Sequence, residues 1–232
     1  MRVSSVGPAV ALSVLSVLPA RAPGQMGRGG RLIDEGTFLI SRPGASPETE
    51  NFRISRGENG LIVATGQLSA GTERVTSSLT ADSSGTPVDY ELSVFDNRVQ
   101  TLHVHAGARG SRLSSLSSDQ HGNESMKEYP IAPGGCLILE DELPHQTYFV
   151  ALARQSGIVQ VINPRGGRLG TLLLAAHGLE PLKVADKTLT ATHYSLGTGP
   201  NRRDFWVDAA GRVLRVEIPG KGIVAARDEP PR

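Results

Sequence analysis

Cysteine, aromatic residues and net charge are all scarce in this 232-residue sequence. The single cysteine, Cys136, excludes an internal disulfide framework, and we expect it to be buried and unreactive. A formal net charge of +1 provides no basic field that would attract nucleic acid. Because aromatic residues make up only 4% of the chain, the predicted core consists mainly of Leu, Val and Ile.

Long apolar runs are also lacking, and the one at the N-terminus is shorter than a membrane-spanning helix. It predicts a signal peptide over residues 1–24, with a positive charge at Arg2, an apolar segment at residues 9–18, and the form of a cleavage site at Ala20-Arg21-Ala22. Cleavage after Ala20 or Gly24 is compatible with this pattern, and an uncleaved N-terminal anchor is the alternative. The signal peptide predicts a mature protein that is periplasmic or secreted. No later apolar run is long enough for a membrane helix, so we expect the mature chain to have no transmembrane helix.

Glycine and proline, by contrast, are abundant, with 27 and 15 residues, which is typical of short strands joined by many turns. The clearest strand is residues 88–95, in which apolar and polar side chains alternate. Similar short segments recur at regular spacing and predict ten to twelve strands arranged as antiparallel meanders.

A predicted hairpin near the C-terminus, residues 205–216, is the strongest local signal. Two apolar strands flank a turn in which Gly211 can adopt a positive φ angle. The same turn pattern recurs upstream, from Asp82 to Gly85. We expect Asp82 and Asp208 to be structural, because an aspartate in a turn hydrogen-bonds to its own backbone.

One segment, residues 137–155, has helical character, and Asp141 can cap its first turn. The residues that share its apolar side are His145, Tyr148, Phe149 and Leu152. We interpret the acidic run Glu140-Asp141-Glu142 as charge that stabilises the N-terminus of this helix. Paired carboxylates for acid/base catalysis are the alternative interpretation.

These elements predict a mainly β fold: a strongly curved antiparallel sheet, either a half-barrel or a barrel, of about ten or more short strands enclosing one mid-chain helix. Residues 25–31 are predicted to be a flexible lead-in, and residues 32–228 a single β-rich domain. Residues 229–232 form a polar tail.

Two histidines, His103 and His105, lie two residues apart on a predicted strand, so their side chains point the same way. This spacing can supply two imidazole ligands to a metal ion. The alternative is a pair of solvated histidines on the outer face of a strand whose Leu102 and Val104 face the core. No cofactor is indicated by any motif in the chain.

The turn at residues 82–87, the mid-chain helix and the closing hairpin together resemble exported bacterial proteins of unknown function. The fold of those proteins is similar to the half-barrel of the lipoprotein-localisation factors, a strongly curved antiparallel sheet that wraps a helix. The resemblance covers residues 32–227. It implies a concave face that can carry an acyl chain, and it implies no site residues, because the shared residues are turn and core positions.

The leading functional hypothesis is a non-enzymatic envelope protein that binds a lipid, another hydrophobic ligand or a partner segment. Segments such as Phe38-Leu39-Ile40 and Leu172-Leu173-Leu174 place apolar residues on both faces of a strand, and one of those faces must meet something other than water. The residues predicted to line the ligand groove are Tyr148, Phe149, Leu152, Trp206, Arg202 and Arg203. The alternatives are an envelope-acting hydrolase, which would use carboxylates or a histidine-bound metal, and a structural or assembly protein without a small ligand.

Overall fold

The computed structural model describes residues 30–153 and 156–232, and the predicted signal peptide lies outside these ranges. Of the predicted lead-in, residues 25–29 also lie outside them, and Arg31 already belongs to the first strand. The strands are β1 (Arg31–Ser41), β2 (Glu48–Arg56), β3 (Ile62–Ala70), β4 (Glu73–Ala81), β5 (Pro87–Asp96), β6 (Val99–Arg109), β7 (Arg112–Asp119), β8 (Glu124–Pro130), β9 (Leu137–Ile138), β10 (Gly157–Asn163), β11 (Arg168–Val184), β12 (Lys187–Leu196), β13 (Arg203–Val207), β14 (Val213–Ile218) and β15 (Ile223–Arg227). The single α-helix of the described ranges is α1 (Thr147–Ala153), and short 3-10 turns occupy Pro144–Gln146, Gly199–Asn201 and Pro219–Lys221. Within these ranges, no helix has the length and apolar character needed to cross a membrane.

The 15 strands of the described ranges form one sheet, in which all consecutive strands except β8 and β9 pair with each other. The order runs from β8 back to β1, then to β15, and from there down to β9, so the first and last strands of the domain pair at its centre. That pairing is antiparallel, with Phe38 opposite Arg227. The sheet curves strongly and does not close, because its edge strands β8 and β9 lie at opposite ends of this order. The predicted fold class is therefore confirmed.

Alternation of side chains divides the sheet into a packed inner face and an outer face. In β1, Phe38 and Ile40 are buried in the core, whereas Leu39 between them points outward and is 51% exposed. Leu174 in β11 is likewise buried while Leu173 is 52% exposed. The second apolar face predicted for these strands is thus open to solvent.

Aspartate-initiated turns close three of the hairpins. The side chain of Asp208 accepts hydrogen bonds from the backbone of Ala210 and Arg212, and Gly211 has a φ angle of 86°. Asp82 does the same for its own turn, and Asp119 provides a third example before β8. These bonds replace the backbone partners that a turn loses, and they confirm the structural role predicted for Asp82 and Asp208.

The concave face of the sheet encloses the segment of residues 139–153, which we call the plug. The prediction of a helix over residues 137–155 is wrong in its first half: Leu137 and Ile138 form strand β9, and the helix proper begins only at Thr147. The acidic run lies before the helix and not in its first turn. The carboxylates of Asp141 and Glu142 form ion pairs with Arg203, Arg165 and Arg42, which lie far away in the chain.

A buried hydrogen-bonded pair and a close backbone approach fix the plug against β2 and β3. His145 Nδ1 lies 2.6 Å from Glu50 Oε1, and the backbone N–H of His145 donates to the other carboxylate oxygen at 3.0 Å. Neither side chain of the pair is accessible to solvent. Gly66 of β3 makes the approach feasible, because a Cβ at that position would lie 2.4 Å from the imidazole Cε1.

Candidate functional site

A cavity of about 520 Å³, which we call the charged cavity, opens at the end of the sheet where β1 ends and β11 and β15 begin. Its lining combines the start of the plug with three turns that are far apart in the chain. The lining residues are Arg42, Glu140, Asp141, Glu142, Asn163, Arg165, Gly166, Arg168, Lys221 and Ile223. Acidic groups therefore come from one segment, and the basic groups come from the turns around it.

Asp141 is the centre of the ion pairs in this cavity. Its carboxylate lies 3.0 Å from Arg203, 3.7 Å from Arg168, and in contact with Lys221. Burial alone would raise the pKa of Asp141, but the hydrogen bond from Lys221 and the charge of Arg203 bring it below its usual value. Arg203 is itself buried, and burial lowers the pKa of its guanidinium. Asp141 is therefore held in its ionised form.

Glu142 links two further arginines at the mouth of the charged cavity. It contacts Arg165 directly, and it lies 3.3 Å from Arg42. Arg42 also pairs with Glu48 at 2.9 Å. These partly exposed pairs contribute little stability one by one, but as a network they orient the side chains around the opening.

Glu140 is buried at the inner wall of the same cavity and is only 3% exposed. One of its carboxyl oxygens accepts a hydrogen bond from the backbone N–H of Arg165 at 3.2 Å and lies 3.5 Å from the Tyr90 hydroxyl. Burial raises the pKa of Glu140 to about 7, although the contacts with Arg165 oppose the shift. A carboxyl group that titrates near neutral pH beside an open cavity is a typical feature of functional sites.

We expect the raised pKa of Glu140 to appear as a pH dependence of stability. The carboxyl is protonated more readily in the folded protein than in the unfolded chain. Its contribution is therefore full below pH 4.5 and is lost as the pH rises to about 7. Between pH 5 and pH 7 the free energy of unfolding should fall by about 2 kcal/mol more in the wild type than in Glu140→Gln. Urea unfolding of both proteins at the two pH values measures this; parallel pH profiles would contradict it.

A second, smaller cavity of about 230 Å³ adjoins the charged cavity, and we call it the apolar cavity. Its apolar lining consists of Leu139, Val161, Leu169, Leu172, Leu196 and Ile218. The two cavities share Asp141, Asn163, Arg168 and Lys221, and Arg203 also lines the smaller one. An apolar space therefore lies directly beside a set of cationic side chains.

The six residues predicted to line a ligand groove do not come together in the structure. Tyr148 and Phe149 are buried in the core, and Leu152 packs against that core. These aromatic side chains pack within the core of the protein and do not line the charged cavity or the apolar cavity.

The other three predicted groove residues, Arg202, Arg203 and Trp206, point to different faces of the sheet, because side chains alternate between faces along β13. Arg203 points inward to Asp141, whereas the neighbouring Arg202 points outward and pairs with Asp204. Trp206 also points outward, where its ring stacks on His193 at a centroid distance of 4.6 Å. It is buried there in a separate cluster formed with Leu182, Val184, Ala191 and Leu214. Of the six, only Arg203 lines a candidate site.

The histidines predicted as metal ligands lie on the outer face of β6. His103 Nδ1 is 3.1 Å from the Ser93 hydroxyl, and His105 pairs with Asp89 at 2.9 Å. In residues 30–153 and 156–232, no group of three or more His, Cys, Asp or Glu side chains has an arrangement that could hold a metal ion. Cys136 is buried, and burial raises the pKa of its thiol to about 11, as expected for an unreactive side chain.

Sequence reasoning missed the basic half of the charged cavity. Arg165 belongs to the turn between β10 and β11, and Arg168 is the first residue of β11. Lys221 belongs to the 3-10 turn before β15, and Arg42 to the loop after β1. Each of these segments is a glycine- and proline-containing turn with basic residues, which is the only local signal available. Their convergence depends on the pairing of β1 with β15, which no local pattern contains.

The fold and these cavities define a barrel-like, single-sheet protein with a charged cavity at one end. The chain belongs to the family described as "Domain of unknown function (DUF6134)", whose model matches residues 96–226. Its fold is similar to the "Crystal Structure of Beta-barrel-like Protein of Domain of Unknown Function DUF1849 from Brucella abortus", with a TM-score of 0.54 and 10% sequence identity over 86% of this chain and 97% of that chain. No curated protein matches the sequence.

Proposed function

We propose that this protein is an exported, periplasmic or secreted binding protein, related in fold to the lipoprotein-localisation factors, whose ligand is an amphiphilic anion. The apolar part of the ligand occupies the apolar cavity, and its anionic group lies against Arg168 and Lys221. One observation carries this proposal: the apolar cavity and the charged cavity adjoin and share both of these cationic residues.

The size of the apolar cavity limits the ligand. At about 230 Å³ it is smaller than the typical small-molecule pocket of about 300–1,000 Å³, and the plug fills the rest of the concave face. It therefore suits a short acyl chain or the end of a longer one, with the remainder exposed. This is a narrower ligand class than the lipid expected from the sequence.

The charges around the cavity suit an anion that binds with modest, salt-dependent affinity. The side chain of Arg168 is 64% exposed and that of Lys221 is 36% exposed, so a ligand can reach both. Asp141 already neutralises part of this positive charge, and an incoming anion must compete with it. Such exposed pairs are weak and are screened by salt.

We expect octanoate and octyl phosphate to bind to the wild-type protein and to bind at least tenfold more weakly to the Arg168→Gln/Lys221→Gln double variant. The double substitution removes both cations and leaves the apolar cavity in place. Isothermal titration at low ionic strength measures the difference. The control is Arg109→Gln, which removes an exposed cation at the β6–β7 hairpin and should leave binding unchanged. Absence of binding to the wild type, or equal binding to the double variant, contradicts the proposal.

A second candidate function, an envelope-acting hydrolase, is favoured by one specific observation. Burial raises the pKa of Glu140 to about 7, whereas hydrogen bonds and cations lower the pKa of the adjacent Asp141. Two carboxyl groups with pKa values displaced in opposite directions are the arrangement that general acid/base hydrolysis needs. Hydrolysis of 4-nitrophenyl glycosides by the wild type, and its loss in Glu140→Gln, would favour this function over ligand binding alone.

A further inference from the structure

A groove of about 500 Å³ crosses the outer face of β2–β5, on the side of the sheet opposite the plug. Outward-facing side chains of all four strands line it, and every one of them is polar. They are Asn51, Arg53, Thr65, Gln67, Thr76, Ser78, Glu91 and Ser93. The groove shares no residue with the charged cavity or with the apolar cavity.

The register of the sheet arranges these side chains in two rows. One row runs Asn51, Gln67, Thr76 and Ser93 across the four strands, and the other runs Arg53, Thr65, Ser78 and Glu91. Because neighbouring strands lie about 4.8 Å apart, each row offers a hydrogen-bonding group at regular intervals over roughly 14 Å. A ligand that lies along the groove meets two parallel lines of donors and acceptors.

The side chains at the centre of the groove are free to bind a ligand. In the part of the chain that the structure describes, Gln67, Thr76 and Ser78 make no side-chain hydrogen bond or ion pair. The two ends are fixed by neighbours: Arg53 lies 2.6 Å from Glu35 of β1, and Ser93 contacts His103 of β6. The groove therefore has oriented ends and an uncommitted centre.

Two classes of ligand fit this lining poorly. The lining carries one cation and one anion, so it offers no net positive charge to a phosphate backbone. An extended peptide cannot add to these strands, because each has sheet neighbours on both sides. A neutral molecule with many hydroxyl groups meets neither obstacle.

We propose that the groove across β2–β5 binds a neutral glycan chain, which lies perpendicular to the strands and follows the two rows of polar side chains. The amides of Asn51 and Gln67 donate and accept hydrogen bonds at once, as do the hydroxyls of Thr76 and Ser78. Sugar hydroxyl groups have the same dual character. The Thr methyl groups and the strand backbone provide the non-polar surface against which the C–H face of a sugar ring packs.

The test uses the neutral hexasaccharides chitohexaose, cellohexaose and maltohexaose as probes, with an acidic galacturonic acid hexamer for comparison. We expect at least one neutral probe to bind to the wild type. The Thr76→Trp variant, which fills the groove, should lower that affinity at least tenfold, and Gln67→Ala should lower it several-fold. Titration calorimetry with circular dichroism of each variant measures binding and confirms folding.

Two controls separate this site from the charged cavity. Thr190→Trp places the same ring on an exposed position of β12 and should leave glycan binding unchanged. The Arg168→Gln/Lys221→Gln variant should also bind the glycan normally. The test of the glycan groove is therefore independent of the test of the charged cavity. Absence of binding to all three neutral probes, preference for the acidic hexamer, or equal loss in Thr190→Trp would overturn the proposal.

Discussion

Replacement of Arg227 by alanine should lower the free energy of unfolding by about 4 kcal/mol, because it leaves the carboxylate of Asp34 buried without its partner. The two side chains are 1% and 3% exposed, and their contact joins β15 to β1 at the centre of the sheet. Arg227 also donates to the backbone oxygen of Val213 at 2.6 Å, and its guanidinium lies 4.9 Å from the centre of the Phe52 ring. Urea unfolding at pH 7 measures the loss.

The pH dependence of this effect has a definite sign. Burial raises the pKa of Asp34, and Arg227 opposes that shift. Without Arg227 the pKa of Asp34 rises further, so the carboxyl is neutralised more readily in the folded variant. The penalty should therefore shrink as the pH is lowered from 7 towards the usual range of aspartate pKa values. A penalty that grows on acidification would show that Asp34 is not the cause.

The matched control for this prediction is Arg112→Ala. Arg112 pairs with Glu128 at 3.1 Å, but the two side chains are largely exposed. Removal of this surface pair should cost less than about 1 kcal/mol. Comparable losses in the two variants would mean that burial does not decide the contribution of the Asp34–Arg227 pair.

Replacement of Gly66 by alanine should be the other strongly destabilising change, with a cost of about 3 kcal/mol from overpacking. The added Cβ would lie 2.4 Å and 2.6 Å from imidazole atoms of His145 and 3.0 Å from Glu50 Oε1. The plug would have to move away from β3, and the buried pair between His145 and Glu50 would be strained. Urea unfolding again provides the measurement.

A matched substitution and a double variant test whether the clash with His145 causes the loss of stability in Gly66→Ala. Gly107 also lies within a strand, but nothing lies within 4 Å of a Cβ built there, so Gly107→Ala should be neutral or stabilising by about 0.5 kcal/mol. In a His145→Ala background, the cost of Gly66→Ala should fall, because the two sites are in direct contact. Additive costs in the double variant would contradict the proposed clash.

Local patterns were sufficient to predict the strands and most of their turns. The alternation of residues 88–95 corresponds to β5, and the hairpin around Gly211 corresponds to β13 and β14. Residues 107–123, which carry few apolar residues, nevertheless form the end of β6 and β7. Hydrogen bonding to the neighbouring strands orders this segment. A local pattern with few apolar residues does not indicate that these neighbouring strands are present.

The helix and the ligand groove illustrate why local patterns were insufficient elsewhere. Residues 140–142 have the composition of a helix start, yet Asp141 and Glu142 pair with Arg203, Arg165 and Arg42 from distant parts of the chain. Such tertiary contacts outweigh local helix propensity. Tyr148 and Phe149 were expected to line a groove, and the structure places both in the core.

The sequence by itself determined the class of the fold, the meander of antiparallel strands and the role of the turn aspartates, because these depend on side-chain alternation and on bonds within a few residues. Only the tertiary structure decided where the charged cavity lies and which residues form it. The pairing of β1 with β15 brings Arg42, Arg165 and Lys221 to one end of the sheet around Asp141. Since burial and long-range charge set the pKa values of Glu140 and Asp141, their chemistry arises only in the folded protein.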